Sequence, residues 1–216
     1  MFWFANEVNN GGEGLESTFA GKTVKLVADI DLQNRDWEPI GQTNAGTAFN
    51  GTFDGGNYTI KNLNIDKTDK TDGHTSSGLF GWAESNVTIK NVKVNVANVK
   101  GHHNVAVIVG YTYSGKIENC HVTNAEIVCT HANDDACGDK CGLIAGYAGD
   151  ESRFTNCSAS NSTVKAGRDA GQLIGTGYNV SVSNCSATNV TVTATGDCTH
   201  ENAGKNINNA VIGRVM

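Results

Sequence analysis

Thr88-Ile89-Lys90-Asn91-Val92 decides the fold once it is read against four other stretches of the same chain. Thr59-Ile60-Lys61-Asn62-Leu63, Lys116-Ile117-Glu118-Asn119-Cys120, Arg153-Phe154-Thr155-Asn156-Cys157 and Ser181-Val182-Ser183-Asn184-Cys185 superpose on it without gaps, placing five asparagines in one column. The separations within the column are 29, 28, 37 and 28 residues. A period of that size marks a solenoid in which one supersecondary unit stacks on the next.

A second column keeps the same beat. Ser77-Gly78-Leu79-Phe80-Gly81, Ala106-Val107-Ile108-Val109-Gly110, Gly142-Leu143-Ile144-Ala145-Gly146, Gly171-Gln172-Leu173-Ile174-Gly175 and Asn209-Ala210-Val211-Ile212-Gly213 all close on glycine. From the asparagine to this glycine the distances are 19, 19, 27, 19 and 29 residues. The extra residues of the two long coils therefore fall in the same arc, at 128–141 and 194–206, where a solenoid carries its variable loops.

Stacked parallel strands sit about 4.8 Å apart, so like residues lie on like and alternation sends one set inward. The expected core columns are Ile60, Ile89, Ile117, Phe154, Val182 and Leu63, Val92, Cys120, Cys157, Cys185, with Leu79, Ile108, Ile144, Leu173, Val211 inside the glycine motif. The asparagines fall between inward positions, at a bend where each amide bonds the next along the stack. A second, shorter ladder is expected at Asn124, Asn161 and Asn189. The segment from Trp3 to Asn10 places Trp3, Phe4 and Val8 on one helical face and stops at Gly11-Gly12, which reads as a short helix capping the first coil. The expectation is an all-β solenoid of about six coils, with a cap over residues 1–20 and one repeat domain over 21–216.

Composition agrees. The chain has 26 glycines, one proline and 18% charged residues, which suits short strands joined by many turns. A net charge of −6 without clustered Lys and Arg offers no footprint for nucleic acid. No apolar stretch is long enough to cross a bilayer as a helix, and Met1-Phe2-Trp3-Phe4 carries neither a positive leader region nor a cleavage site. We read the chain as a piece of something longer, open to continuation into further repeats or to end-to-end self-association.

Gly78-Leu79-Phe80-Gly81 and its copies resemble the GLUG motif. The upstream run Leu26-Val27-Ala28-Asp29-Ile30-Asp31-Leu32, Trp37-Glu38-Pro39-Ile40-Gly41 and Phe49-Asn50-Gly51-Thr52-Phe53-Asp54-Gly55-Gly56-Asn57-Tyr58-Thr59-Ile60 is similar to the opening coils of secreted GLUG-repeat proteins. The resemblance implies a right-handed parallel β-helix at the bacterial cell surface, in adhesin-like proteins or beside the peptidase domain of IgA-protease-like polyproteins. Ala106, Gln172 and Asn209 depart from the motif, while its aliphatic column is intact.

Chemistry is sparse. Cys-Thr-His-x-Asn occurs twice, as Cys129, His131, Asn133 and as Cys198, His200, Asn202. Cys129, His131, Cys137 and Cys141 are types that zinc accepts, but their spacing matches no standard site, so neither metal nor cofactor is expected. A disulfide of Cys129 with Cys137 or Cys141 and free thiols are the competing readings. His102-His103 reads as a solvated turn, and Cys120, Cys157 and Cys185 as inert core thiols. Trp82, Tyr111 and Tyr147 each follow a motif glycine and form an aromatic ladder able to stack on sugar or contact protein. Phe80, Val109, Ile174 and Ile212 point outward beside it if the Leu79 column points in.

No paired carboxylates, nucleophile elbow or phosphate loop assembles. The expected function is non-catalytic binding of a host or microbial surface glycan or protein, through Trp82, Tyr111, Tyr147, His131, Asn133, His200 and Asn202. A carbohydrate-active β-helix enzyme and a structural stalk are the alternatives.

Overall fold

Short β-branched segments separated by asparagine and glycine become strands that recur in a four-beat order. A computed structural model of the chain describes residues 1–10, 18–41, 47–69, 76–84, 86–130, 140–194 and 211–215. The first sheet stacks Thr23–Lys25, Thr52–Asp54, Thr88–Lys90, Lys116–Glu118, Arg153–Thr155 and Ser181–Ser183. The second stacks Ile30–Asp31, Thr59–Asp66, Lys93–Gly101, His121–Cys129, Ser158–Ala166 and Ser186–Ala194. Ser76–Ser77, Asn104–Val105, Lys140–Cys141 and Asp169–Ala170 make the third, and Phe80–Glu84, Val109–Tyr113, Ala145–Gly149, Ile174–Gly177 and Ile212–Val215 the fourth. Every described pairing is parallel. The chain passes through the sheets in the order first, second, third, fourth, then re-enters the first one strand further along. Each passage is one coil of the repeat.

The register sets the columns. Phe53, Ile89, Ile117, Phe154 and Val182 stack in the first sheet, and Leu79, Ile108, Ile144 and Leu173 are all buried at the entry to the fourth. Ile60 and Leu63, however, belong elsewhere. Ile60 lies beside Val94 and Leu63 beside Ala97, one sheet further on than the gapless superposition placed them. The true partner of Thr88-Ile89-Lys90 in the preceding coil is Thr52-Phe53-Asp54. Phe80, Val109 and Ile174 also differ from expectation: they are fully buried beside the Leu79 column. Phe80 packs its ring against Phe49 and Phe53, at 5.2 and 5.1 Å, because the chain turns a corner there and drives two successive side chains inward.

Two kinds of residue make the corners. Asn91, Asn119, Asn156 and Asn184 hold φ between 52° and 56°, and Asn62, Asn124, Asn161 and Asn189 between 51° and 58°. This left-handed region is one that asparagine tolerates better than other side-chain-bearing residues. In the middle of the long second-sheet strands it inserts two successive outward residues, so that Val122 is buried, Thr123 and Asn124 are not, and Ala125 is buried again. The motif glycines answer a different constraint. A Cβ on Gly110 would fall 2.7 Å from the Asn104 carbonyl oxygen, and one on Gly146 2.6 Å from the Asn104 carbonyl carbon. Third-sheet backbone therefore passes where a side chain would stand. Ala106 is accommodated in full burial where other copies carry the first motif glycine.

The N-terminal helix Phe2–Asn10 buries Phe4, Ala5 and Val8. Phe4 lies parallel to Phe53 at 6.0 Å and edge-on to Phe49 at 5.5 Å. Asn9 receives the Gly41 N–H and donates to the Pro39 carbonyl, so the helix covers the end of the first coil. Trp3, expected on the inner face, is 69% exposed, and Ala5 takes that place.

Candidate functional site: the loop arc and its neighbours

The first asparagine ladder is a one-way chain of hydrogen bonds headed by a carboxylate. Asn156 donates to Asn119 at 3.2 Å, Asn119 to Asn91 at 3.1 Å and Asn91 to Asp54 at 2.9 Å. An amide chain that donates in one direction needs an acceptor at its head, and Asp54 supplies it. The Asn91 amide, followed by the Gly56 N–H, holds the Asp54 carboxyl below its ordinary value. The second ladder has the same carboxylate head but is not continuous. Asn62 donates to Asp31 at 2.8 Å and Asn189 to Asn161 at 3.1 Å, and the Asn62 amide followed by the Gln33 N–H lowers Asp31. Asn62 thus belongs to the column of Asn124, Asn161 and Asn189. Val96 interrupts it with φ of 62°, and Asn95 takes up the Asn124 amide instead.

Corrected register changes the loop arc. Between the second-sheet and third-sheet strands lie residues 67–75, 102–103, 130–139 and 167–168, and residues 195–210 follow the last second-sheet strand. Two long insertions, 67–75 and 130–139, fall between described strands at this corner, on alternate coils, where the misplaced Asn62 had hidden the first. Alternate parallel coils are separated by about 10 Å. His102, on the short coil between two long ones, joins their backbones: Nδ1 lies 2.9 Å from the Thr130 carbonyl and Nε2 2.6 Å from the Thr68 carbonyl. The Thr130 hydroxyl lies 3.1 Å from the same Nδ1. His102 and His103 are buried, so this is not the solvated turn that the sequence suggested.

Trp82, Tyr111 and Tyr147 do form a ladder on the outside of the fourth sheet. Trp82 and Tyr111 stack at 3.8 Å and 14°, Tyr111 and Tyr147 at 5.0 Å and 17°. Both faces of Tyr111 are therefore covered by its neighbours, leaving its edge outward, while Trp82 and Tyr147 each keep one face turned away from it. Desolvation pushes Tyr111 up to about 12. Lys140, which follows the 131–139 insertion, holds its ammonium 5.8 Å from the Tyr147 ring centre and so brings the ladder up to the loop arc.

His131, Asn133, His200 and Asn202 lie outside the described residues, as do Cys137 and Cys198. Among the described residues no group of three or more His, Cys, Asp and Glu side chains could hold a metal. Cys120, Cys157 and Cys185 stack inside the first corner, with the Cys157 N–H 3.3 Å from the Cys185 sulfur. The hydrogen bond that the Cys157 thiol makes to Cys120, with burial, pushes Cys157 up to about 12. The sequence missed a shallow polar groove of about 400 Å³ on the second sheet, lined by Lys61, Lys93, Asn95, His121, Thr123 and Asn124 among others. Its signal is legible only in the true register, where Lys93 sits between Thr59 and His121.

This stacked, parallel, corner-built chain carries the GLUG motif, whose family model matches residues 101–128. The match falls on the coil whose copy begins with Ala106 in place of glycine. The chain is similar to Halomucin of Haloquadratum walsbyi, with 35% identity over 108 residues, covering 46% of this chain and 1% of that protein. No solved structure matches. Among the described residues no helix is long and apolar enough to cross a membrane.

Proposed function

We propose that the chain is a non-catalytic, extracellular surface-binding module, a right-handed parallel β-helix that holds a glycan or protein partner against its loop arc. The observation that carries this reading is the confinement of length variation to one corner. Residues 67–75 and 130–139 both leave and rejoin the coil there, while the first, second and fourth sheets run through consecutive coils in unbroken register. A scaffold fixed by repeated columns is free to diversify only where residues are added without disturbing the stack. Right-handedness follows from the strong preference of parallel crossover connections. The GLUG match and the similarity to a segment of Halomucin support a repeat module of a surface protein. On this reading residues 1–20 are the cap and 21–216 the repeats. His131, Asn133, His200 and Asn202 supply polar contacts, and the exposed edges of Trp82, Tyr111 and Tyr147 supply apolar ones.

A glycan and protein array probed with the full chain tests this, using variants that lack 131–139 and 196–208. Signals lost in either variant support the loop arc. Signals retained in both overturn it and move the site to the groove at Lys61, Lys93 and His121.

A further inference from the structure

Two thiols close the neck of the 130–140 segment. Cys129 ends its second-sheet strand and Cys141 ends the third-sheet strand that follows. In register, Cys129 lies beside Gly101 and Cys141 between Val105 and Ala170. The adjacent short coils cross this corner over two intervening residues, Gly167-Arg168 in one and His102-His103 in the other. The long coil brings its chain back to the same two positions after ten intervening residues. Both residues are buried, at 4% and 0% exposure, and the two positions face one another: in the coil before, a Cβ on Gly101 would lie 3.2 Å from the Val105 side chain. The Cys141 thiol points at the Lys165 carbonyl, 3.6 Å away. The Cys129 thiol also points at the His102 carbonyl, 2.9 Å away.

We propose that Cys129 and Cys141 are joined by a disulfide that locks the base of the 130–140 insertion. The reaction is thiol–disulfide exchange with a low-molecular-weight disulfide such as oxidised glutathione. One cysteine thiolate displaces a thiol from the oxidant to give a mixed disulfide, and the second thiolate displaces the other thiol. Two protons leave the protein thiols, two electrons pass to the oxidant, and one S–S bond forms while one is consumed. Burial strongly disfavours the Cys129 thiolate in the folded chain, so the bond forms during folding and is shielded afterwards. The other hydrogen-bonded thiols, Cys120, Cys157 and Cys185, stack on successive coils at the opposite bend and stand at the base of no insertion.

The inference stands apart from the binding proposal, because its test uses no ligand. The full chain with Cys137→Ala is refolded in oxidised glutathione, then unfolded in guanidinium with N-ethylmaleimide and weighed. That variant keeps six of the seven cysteines; four adducts are expected, with tandem fragmentation joining Cys129 to Cys141. Six adducts, or a bond using Cys120, Cys157, Cys185 or Cys198, overturns the proposal. In the natural sequence, a bond from Cys129 to Cys137 overturns it as well. Closing a loop of this size raises the melting temperature by roughly 6–12 °C in a chain of this length. Oxidised Cys129→Ala/Cys141→Ala should lose that margin, and its melting point should change little on adding reductant. An oxidised natural chain that melts no higher than its reduced form overturns the proposal.

Discussion

Two corners of the same coil follow opposite rules. At the bend between the first and second sheets, the described coils from Asn91 onward spend the same short span and place asparagine in the left-handed region, and Asn91, Asn119 and Asn156 each hydrogen-bond to the coil before. At the bend between the second and third sheets, the span alternates between two residues and nine or more. The difference lies in what each corner must satisfy. The asparagine side chains serve as donor and acceptor within a continuous chain, so an added residue would break two hydrogen bonds and the register behind them. The loop corner has no such ladder to keep, and its span varies from coil to coil.

The largest effect should follow from breaking the ladder. Asn119→Ala loses an amide bonded on both sides and puts alanine into the left-handed region, at a cost of about 2–3 kcal/mol. A fall in melting temperature of roughly 4–12 °C is expected; a shift below about 2 °C would mean that the ladder is decorative. His102→Ala should cost about 1–2 kcal/mol by releasing the Thr68 and Thr130 carbonyls. Its contribution shows as faster amide exchange at the third-sheet strands, with the first sheet unchanged. Val96→Asn sharpens the comparison from the other side. A β-branched residue at φ of 62° is strained, and asparagine would complete the run from Asn62 to Asn124. Stabilisation of about 1 kcal/mol is expected; destabilisation would contradict the second ladder.

The ladder heads have a pH signature. The folded-state values of Asp31 and Asp54 are depressed, so their contribution is present above the ordinary carboxylate value of about 4. It fades as pH falls through the depressed values. The stability carried by these two carboxylates should therefore hold down to pH about 4 and fall below it, so that the loss of melting temperature below that pH is smaller in Asp54→Asn. The aromatic ladder gives the smallest signal. Tyr111, raised to about 12, should ionise after an ordinary tyrosine, so absorbance at alkaline pH shows a late phase that Tyr111→Phe removes.

Much of this was legible in the sequence, and the failure was informative. The period, the parallel stack, the helix at Phe2–Asn10 and the face that carries insertions all follow from column positions. Asn62 was misplaced because Thr59-Ile60-Lys61-Asn62 and Thr88-Ile89-Lys90-Asn91 look alike, both being outward-inward-outward runs followed by a left-handed asparagine, although the first strand continues to Asp66. Two bends with the same φ requirement select the same residue, so similarity alone cannot say which bend a segment makes. Asp54 and Asp31 break the tie, since each heads one ladder. The burial of Phe80 was missed because strict alternation fails at a corner. The stacking of Trp82 on Tyr111 was legible as a column, but not the loss of ring faces that follows from it.

The contrast between the corners is tested most directly by two melting curves. One variant carries Asn119→Ala; in the other, residues 131–139 are replaced by Gly-Gly, which brings that coil close to the span of its neighbours. The account predicts a fall of roughly 4–12 °C for the first and a change within about 2 °C for the second, because shortening a loop costs the stack nothing. A loop variant that unfolds while Asn119→Ala melts like the natural chain would contradict it.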